Sequence, residues 1–404
     1  MKLAWHESIE TISETTWNTI FGIDTIVKSY HLMRLVERSK NDDFTIRYLT
    51  IHGDVGIKLI LPCFLYRVRL DLFAKKTLKS IFEIVGRCFP RLITKKILFL
   101  GTPLSICDHL FGIKHPMNEE YQQTLILRAI KEIKDKAKLE RCDMVIIKEV
   151  RARELEKFKK FMIHEDFFWV ESLPDSILPL IEQCKPFPTA LRKKYRQEIN
   201  RVLNTNTTHQ FRWTITSTFS KYADQMHTLY ENVFYKSKFK FEHLNVNFFK
   251  LIENELNNDV STLLCFNKSD EVVIFVLLLD QQDSLIPLYM GIDYMERNNG
   301  NLYFNCIYKI VSEAEQRGKK WVLFGQTSYE PKSHIGAVFE RLYLGIWMRN
   351  PLLNLISRLF NKLLFPRKEL PSCRCYSDNL VQLIKQQLDA EGIHYEPIKT
   401  SRKP

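Results

Sequence analysis

Arg297-Asn298-Asn299-Gly300-Asn301 is the stretch of this sequence most suited to chemistry. It lies between an apolar run, 284–292, and a segment in which Tyr303, Ile307, Ile310 and Ala314 recur at helical spacing. A helix opening there leaves its first amides without internal partners, and its dipole favours an anion at that end. Arg297 adds positive charge at the same place, so the stretch outlines a phosphate-binding site. Asp293, at the carboxyl end of the 284–292 run, is a carboxylate that a splayed sheet would expose to ligand. It reads either as a base or as a plain turn residue. His334 has the acidity for base work, with a pKa of ~6.5 when unperturbed, or is simply an exposed loop histidine. Lys332 suits a phosphate or a carboxylate, or points into solvent. Cys306 has no histidine near it in sequence, which favours core packing over nucleophilic catalysis. Cys373 and Cys375 stand alone as a Cys-x-Cys pair, too few ligands for a closed zinc site, and no metal is expected.

The elements that must position these residues follow from periodicity. Residues 284–292 form a buried strand, and Gly318 with Lys319 and Lys320 stops the helix that follows. Trp321–Phe324 is a second strand, so strand, turn, helix and strand make one βα unit. Before it, strands at 262–266, 272–279 and 284–292 are joined by short polar turns, an antiparallel meander. A strand at 211–216 and helices at 219–235 and 246–256 precede the meander. The N-terminal half shows a hairpin at 44–65 turning on His52-Gly53-Asp54 and a strand at 96–100. A helix at 119–138, a strand at 144–147, a helix at 154–163 and a strand at 167–171 follow. Residues 1–40 read as helical and 78–85 as a further helix. Residues 186–203 form a strongly basic helix carrying Arg192, Lys193, Lys194, Arg196 and Arg201, either a solvated face or a polyanion-binding one.

A chain of 404 residues favours two domains. Nine scattered cysteines suggest reduced thiols in a cytoplasm. No window has the roughly 18 uncharged apolar residues of a membrane span, and Glu7 and Glu10 interrupt any secretory leader. The net charge of +12 implies an anionic partner: a nucleotide cofactor, RNA or an anionic membrane surface.

The order strand, two helices, three antiparallel strands, helix, strand, helix resembles the GNAT acyltransferase fold over 211–350. The N-terminal half repeats its latter part, which resembles the tandem-GNAT arrangement of Fem-like peptidyl transferases and related bacterial acetyltransferases. Leu98-Phe99-Leu100-Gly101-Thr102-Pro103-Leu104-Ser105 is similar to a first-domain signature of that group, as is Ala190-Leu191-Arg192-Lys193-Lys194-Tyr195-Arg196 at the junction. Phe248-Phe249, Tyr329-Glu330-Pro331-Lys332 and Gly336 add to it. The resemblance implies an α/β (α+β) class with two GNAT-like domains, each a mixed, mostly antiparallel sheet flanked by helices. The expected division is 1–185, a non-catalytic GNAT-like domain; 186–207, the basic linking helix; 208–350, the acyltransferase domain; and 351–404, a helical extension.

GNAT enzymes hold the acyl-CoA pyrophosphate with an Arg/Gln-x-x-Gly-x-Gly/Ala turn, which Arg297 to Leu302 matches except at its last position. Leu302 is expected to crowd the backbone approach to phosphate. The resemblance makes Tyr329 the acid for the departing thiol, with Asp293 or His334 as base and Arg297, Asn298, Asn299, Gly300 and Asn301 as the donor loop. The expected function is acyl transfer, acetyl included, from acyl-CoA to an amine acceptor. The alternatives are a Fem-like transferase using aminoacyl-tRNA on a cell-wall precursor, and a non-catalytic anion- or membrane-binding pair of domains. Residues 351–365 form a short amphipathic helix that Pro366 stops, either buried against the second domain or lying, with Arg367 and Lys368 in a 351–368 segment, on an anionic membrane. The expected location is accordingly cytoplasmic, with a peripheral membrane position as the variant.

Overall fold

The computed structural model describes residues 1–69, 94–162, 164–208, 210–237, 241–296 and 301–398. In chain order the first elements are β1 Lys2–His6, α1 Glu14–Phe21, α2 Tyr30–Arg38, β2 Phe44–His52, β3 Ile57–Arg69, β4 Thr94–Leu100 and β5 Gly112–Ile113. Next come α3 Glu119–Leu139, β6 Met144–Arg151, α4 Ala152–Phe161, β7 Phe168–Glu171, β8 Asp175–Pro179 and α5 Lys193–Thr208. The second half holds β9 Arg212–Thr216, α6 Ala223–Lys236, α7 Val246–Leu256, β10 Val260–Phe266, β11 Val272–Gln281, β12 Ser284–Ile292 and α8 Leu302–Gln316. The last elements are β13 Trp321–Leu323, α9 Tyr329–His334, β14 Val338–Glu340, β15 Leu342–Met348, α10 Pro351–Leu359, α11 Asn361–Leu364 and α12 Asp378–Ala390. The helix expected at 78–85 lies outside the described residues.

Two compact units emerge. The first gathers Met1–Ser172, Ser237–Leu244 and Leu342–Arg367. Its sheet runs β1-β2-β3-β4-β6-β15-β7, antiparallel except where β4 and β6 run parallel. Leu49, Leu61, Leu98 and Val145 of this sheet pack on Leu125, Ala129 and Ile133 of α3, the apolar stripe that the i, i+4, i+8 spacing dictates. Residues 1–40 are not all helical. Lys2–His6 is a strand paired with β2, and α1 and α2 follow it. The first unit therefore has the strand and two helices that precede the meander, and not only its latter part.

The second unit gathers Leu173–Lys236, Asn245–Arg341 and Lys368–Pro404. Its sheet runs β9-β10-β11-β12-β13-β8-β14, with β12 and β13 the parallel pair. Ile274, Val276 and Leu278 of β11 pack with Cys306, Ile307, Ile310 and Ala314 of α8 in one core.

The strands divide differently from the sequence expectation. β15 lies between β6 and β7 in the sheet of the first unit, and β8 lies between β13 and β14 in the sheet of the second. A boundary at 185 and a C-terminal domain ending at 350 separate each of these strands from the sheet it completes. Both runs are short, so composition alone gives no hint of which sheet pairs them.

Candidate functional site

β12 and β13 pair only at Ser284–Trp321 and Leu285–Val322 and then part. A bulge on β12 contributes to this. Its ladder to β11 steps from Leu277–Tyr289 to Leu278–Pro287 and skips Leu288. Bulges bend the strand that carries them, and Pro287 brings no amide to the ladder. Parallel strands that part at their carboxyl ends open a crevice suited to ligand. One wall is aromatic: the Tyr289 ring meets Tyr230 edge-on at 5.8 Å and Phe248 at 5.9 Å. Gly291 lets α6 close on β12, because a Cβ there would stand 2.6 Å from the Leu229 and Tyr230 backbone. Just past the strand, the Lys236 ammonium sits 3.4 Å from the Tyr294 ring centroid.

The start of α8 completes the crevice chemistry. Asn301 takes left-handed angles (φ 50°, ψ 46°), offers no side-chain cap, and no acidic residue follows in the first turn. The counterpart helix of the first unit, α3, is closed to anions. Asn118 accepts the Tyr121 amide at 2.8 Å, and Glu119 and Glu120 fill the first turn. Leu302 is fully buried in the core. Arg297, Asn298, Asn299 and Gly300 lie outside the described residues.

α5 packs over this helix start. Ile199 and Val202 are buried, Asn305 Nδ2 donates to the Val202 carbonyl at 3.1 Å, and Asn301 Nδ2 reaches Thr205 Oγ1 at 3.4 Å. Lys193, Lys194, Arg196 and Arg201 remain exposed. Arg192 does not belong to that face: its Nε donates to the Tyr376 carbonyl at 2.7 Å and its Nη2 meets Asp378 at 3.3 Å.

The three residues expected to catalyse are not brought together as a hydrogen-bonded set. Asp293 stands at the crevice, its Oδ1 accepting the Met295 amide at 2.8 Å, so it serves at least as a turn residue. Tyr329 is buried at the start of α9 and donates its hydroxyl to the Pro174 carbonyl at 3.0 Å, with Phe339 edge-on at 5.4 Å. A hydroxyl bonded to a carbonyl in the core acts as a packing group rather than as an acid facing the crevice. His334 lies at the other end of α9, 3.5 Å from Glu198 and edge-on to Tyr195.

Lys332 is also placed differently. It is 5% exposed, and its ammonium donates to the carbonyls of Phe324, Gly325 and Gln326 at 2.9, 3.0 and 3.1 Å. It therefore fixes the segment leaving β13, where Thr327 (φ 66°) and Ser328 (φ 47°) both hold left-handed angles. A β-branched residue there is strained, and such strain concentrates at functional sites. Lys148 does similar work in the first unit, donating to the Thr102 and Leu104 carbonyls at 2.9 and 3.1 Å under the Phe241 ring. A lysine in a β-rich apolar run is the signal that could have disclosed Lys148.

Sequence reading also passed over Asp108, His109 and Glu154, whose ligand-type atoms lie within 4.8 Å of one another. The Lys28 ammonium is 2.9 Å from Asp108, His109 Nδ1 accepts the Phe111 amide at 3.1 Å, and its Nε2 meets Glu154 at 3.0 Å. Burial would raise the Asp108 pKa, but Lys28 and Arg151 outweigh it and hold the carboxyl well below its usual range. These partners already supply the positive charge, which makes the cluster an ion-paired network rather than a metal cage. Cys375 donates to the Ser333 carbonyl at 3.0 Å, and the Cys373 sulfur lies 3.3 Å from the Ser333 hydroxyl.

Among the described residues no helix is long and apolar enough to cross a membrane. No curated protein matches the chain. The crystal structure of FemX is similar with a TM-score of 0.54 at 11% identity, covering 89% of this chain and 100% of FemX. The C-terminal domain of a putative lysylphosphatidylglycerol synthetase from Agrobacterium fabrum is similar with a TM-score of 0.50 at 10% identity, covering 87% of this chain and 96% of that domain. A family model, FemAB-like, described as peptidoglycan biosynthesis/recognition, matches residues 87–327. That match spans more than half of the sequence, and the chain belongs to the FemAB-like family.

Proposed function

We propose that the chain transfers an aminoacyl group from charged tRNA to a free amine of a peptidoglycan precursor, with the donor held in the second unit. One observation carries this reading: the start of α8, where Asn301 makes no side-chain cap, lies under a helix, α5, that exposes Lys193, Lys194, Arg196 and Arg201. From Lys193 to Arg201 the cations extend over about 12 Å at ~1.5 Å per residue. A pyrophosphate needs only the helix start, whereas a run of nucleic-acid phosphates uses the whole face. The family description, peptidoglycan biosynthesis/recognition, supports the acceptor class. Such a donor places the reaction in the cytoplasm.

In this scheme the neutral amine attacks the ester carbonyl, the new C–N bond forms, and the C–O bond to the ribose breaks. Asp293 takes the proton that the attacking nitrogen loses and returns it to the ribose oxygen. The Leu288 amide, skipped by the β11 ladder, is the donor for the developing oxyanion. The acyl-CoA reading rests on Arg297 and Gly300 at the head of α8, and it needs nothing from α5.

The two donors are told apart by binding across a salt series. In the Lys193→Gln/Lys194→Gln/Arg196→Gln/Arg201→Gln variant, tRNA affinity should fall, and the log–log salt slope should shrink by about one for each lost phosphate contact. CoA affinity should stay the same. An unchanged tRNA slope in the folded variant removes α5 from the donor site.

A further inference from the structure

We infer that α10 and α11 form a docking face for an anionic lipid surface. The helix is inside out for a soluble protein. Asn354 and Ser357 are its buried residues, while Leu352, Leu353, Leu355, Ile356, Leu359, Phe360, Leu363 and Leu364 are exposed. At about 100° per residue, the exposed apolar positions of α10 fall on one arc opposite Asn354 and Ser357. The polar side is fastened to the first unit. Asn354 Oδ1 accepts the Met348 amide at 3.0 Å, its Nδ2 donates to the Asp166 carbonyl at 2.9 Å, and Ser357 reaches the Met348 sulfur at 3.5 Å. Asn350 caps the start through the Leu352 and Leu353 amides at 3.0 and 3.1 Å. Of the two readings left open by the sequence, burial against the second domain fails, because the apolar face is in solvent and the helix belongs to the first unit.

Charge selects the occupant. Residues 349–367 contain Arg349, Arg358, Lys362 and Arg367, all exposed, and no aspartate or glutamate, with Glu171 3.8 Å from Arg367 as the nearby acid. A second copy of the chain would bring two cationic rims together, whereas anionic headgroups complement one. The helical stretch, at ~1.5 Å per residue, is about 21 Å long and too short for a ~30 Å hydrocarbon core, so it lies in the interface plane. Contiguous exposed apolar surface of this extent marks an interaction site.

The test is sedimentation of the full chain with phosphatidylglycerol vesicles and with phosphatidylcholine vesicles, alongside its mass in solution without lipid. Wild type should bind the anionic vesicles at least tenfold more tightly than the neutral ones. Leu352, Leu359 and Leu363 are 64%, 69% and 74% exposed, so Leu352→Ser/Leu359→Ser/Leu363→Ser should keep the thermal midpoint and lose binding at least tenfold. Arg358→Gln/Lys362→Gln should bring anionic-vesicle binding toward the neutral level and remove its salt sensitivity, and it decides the matter if the leucine variant does not fold. Wild type that ignores both vesicle types overturns the inference, as do variants that bind like wild type. A dimer that the leucine variant splits, with no vesicle binding, overturns it in favour of a self-association face.

Discussion

Replacing Lys332 with methionine should destabilise the second unit far more than its position on a six-residue helix suggests. Methionine keeps most of the apolar stem but removes the ammonium that satisfies the Phe324, Gly325 and Gln326 carbonyls. The bond to Phe324 is buried and those to Gly325 and Gln326 are part-buried, and a buried carbonyl left without a donor costs about 1–3 kcal/mol, a part-buried one less. Losing a buried charge relieves part of that, since ion desolvation is itself costly. The net expectation is a loss of about 2–4 kcal/mol. At ~2–4 °C per kcal/mol for a unit of this size, the thermal midpoint should fall by about 4–16 °C. Lys320→Met is the control: Lys320 is exposed and pairs with Asp283 at 3.2 Å, so its loss should cost at most about 0.5 kcal/mol. The assay is thermal unfolding followed by circular dichroism, with turnover measured well below both midpoints. Turnover of the Lys332 variant should drop as well, because the same carbonyls hold the strained Thr327-Ser328 segment at the end of β13. A midpoint within about 1 °C of wild type would mean that those carbonyls are satisfied some other way.

Tyr329→Phe should cost about 1 kcal/mol for the lost bond to Pro174 and leave kcat unchanged; a tenfold fall in kcat at equal stability would restore it as the acid. Asp293→Asn should lower kcat by about a hundredfold or more while donor affinity stays within twofold, and full activity would place the base elsewhere. Asp108 has a folded pKa depressed below its unfolded value of ~3.9, so its contribution to stability is complete above that pH and is lost as the pH falls below it. In urea titrations Asp108→Asn should therefore be weaker than wild type at pH 6 and lose less than wild type on going to pH 3.

The sheet of the second unit was legible because its strands are long apolar runs punctuated by short polar turns. The bounds at 284–292 and 246–256 match the structure to the residue. β8 was not legible: Asp175-Ser176-Ile177-Leu178-Pro179 is five residues, with a proline that argues against a strand. Its partners, β13 and β14, lie well over a hundred residues away. β1 was missed because Trp5 and Leu3 are followed at once by helical signals, which absorb five residues of strand into a helical reading.

At the site, the sequence disclosed which residues stand near the helix start but not which of them already have partners. Lys332 and Tyr329 look reactive in a polar loop, yet both are buried and bonded to backbone carbonyls. The exposed side of 351–364 shows the opposite failure. The amphipathic pattern was evident, but an apolar face is normally turned inward, and only the bonds of Asn354 show it turned out.

The measurement closest to the central claim is a single-turnover transfer assay with radiolabelled aminoacyl-tRNA and a peptidoglycan precursor bearing a free amine, run beside labelled acetyl-CoA with the same acceptor. Label should pass from tRNA to the precursor amine, and the α5 quadruple variant should slow this step. Transfer from acetyl-CoA alone, at a rate indifferent to the α5 cations, would contradict tRNA as the donor.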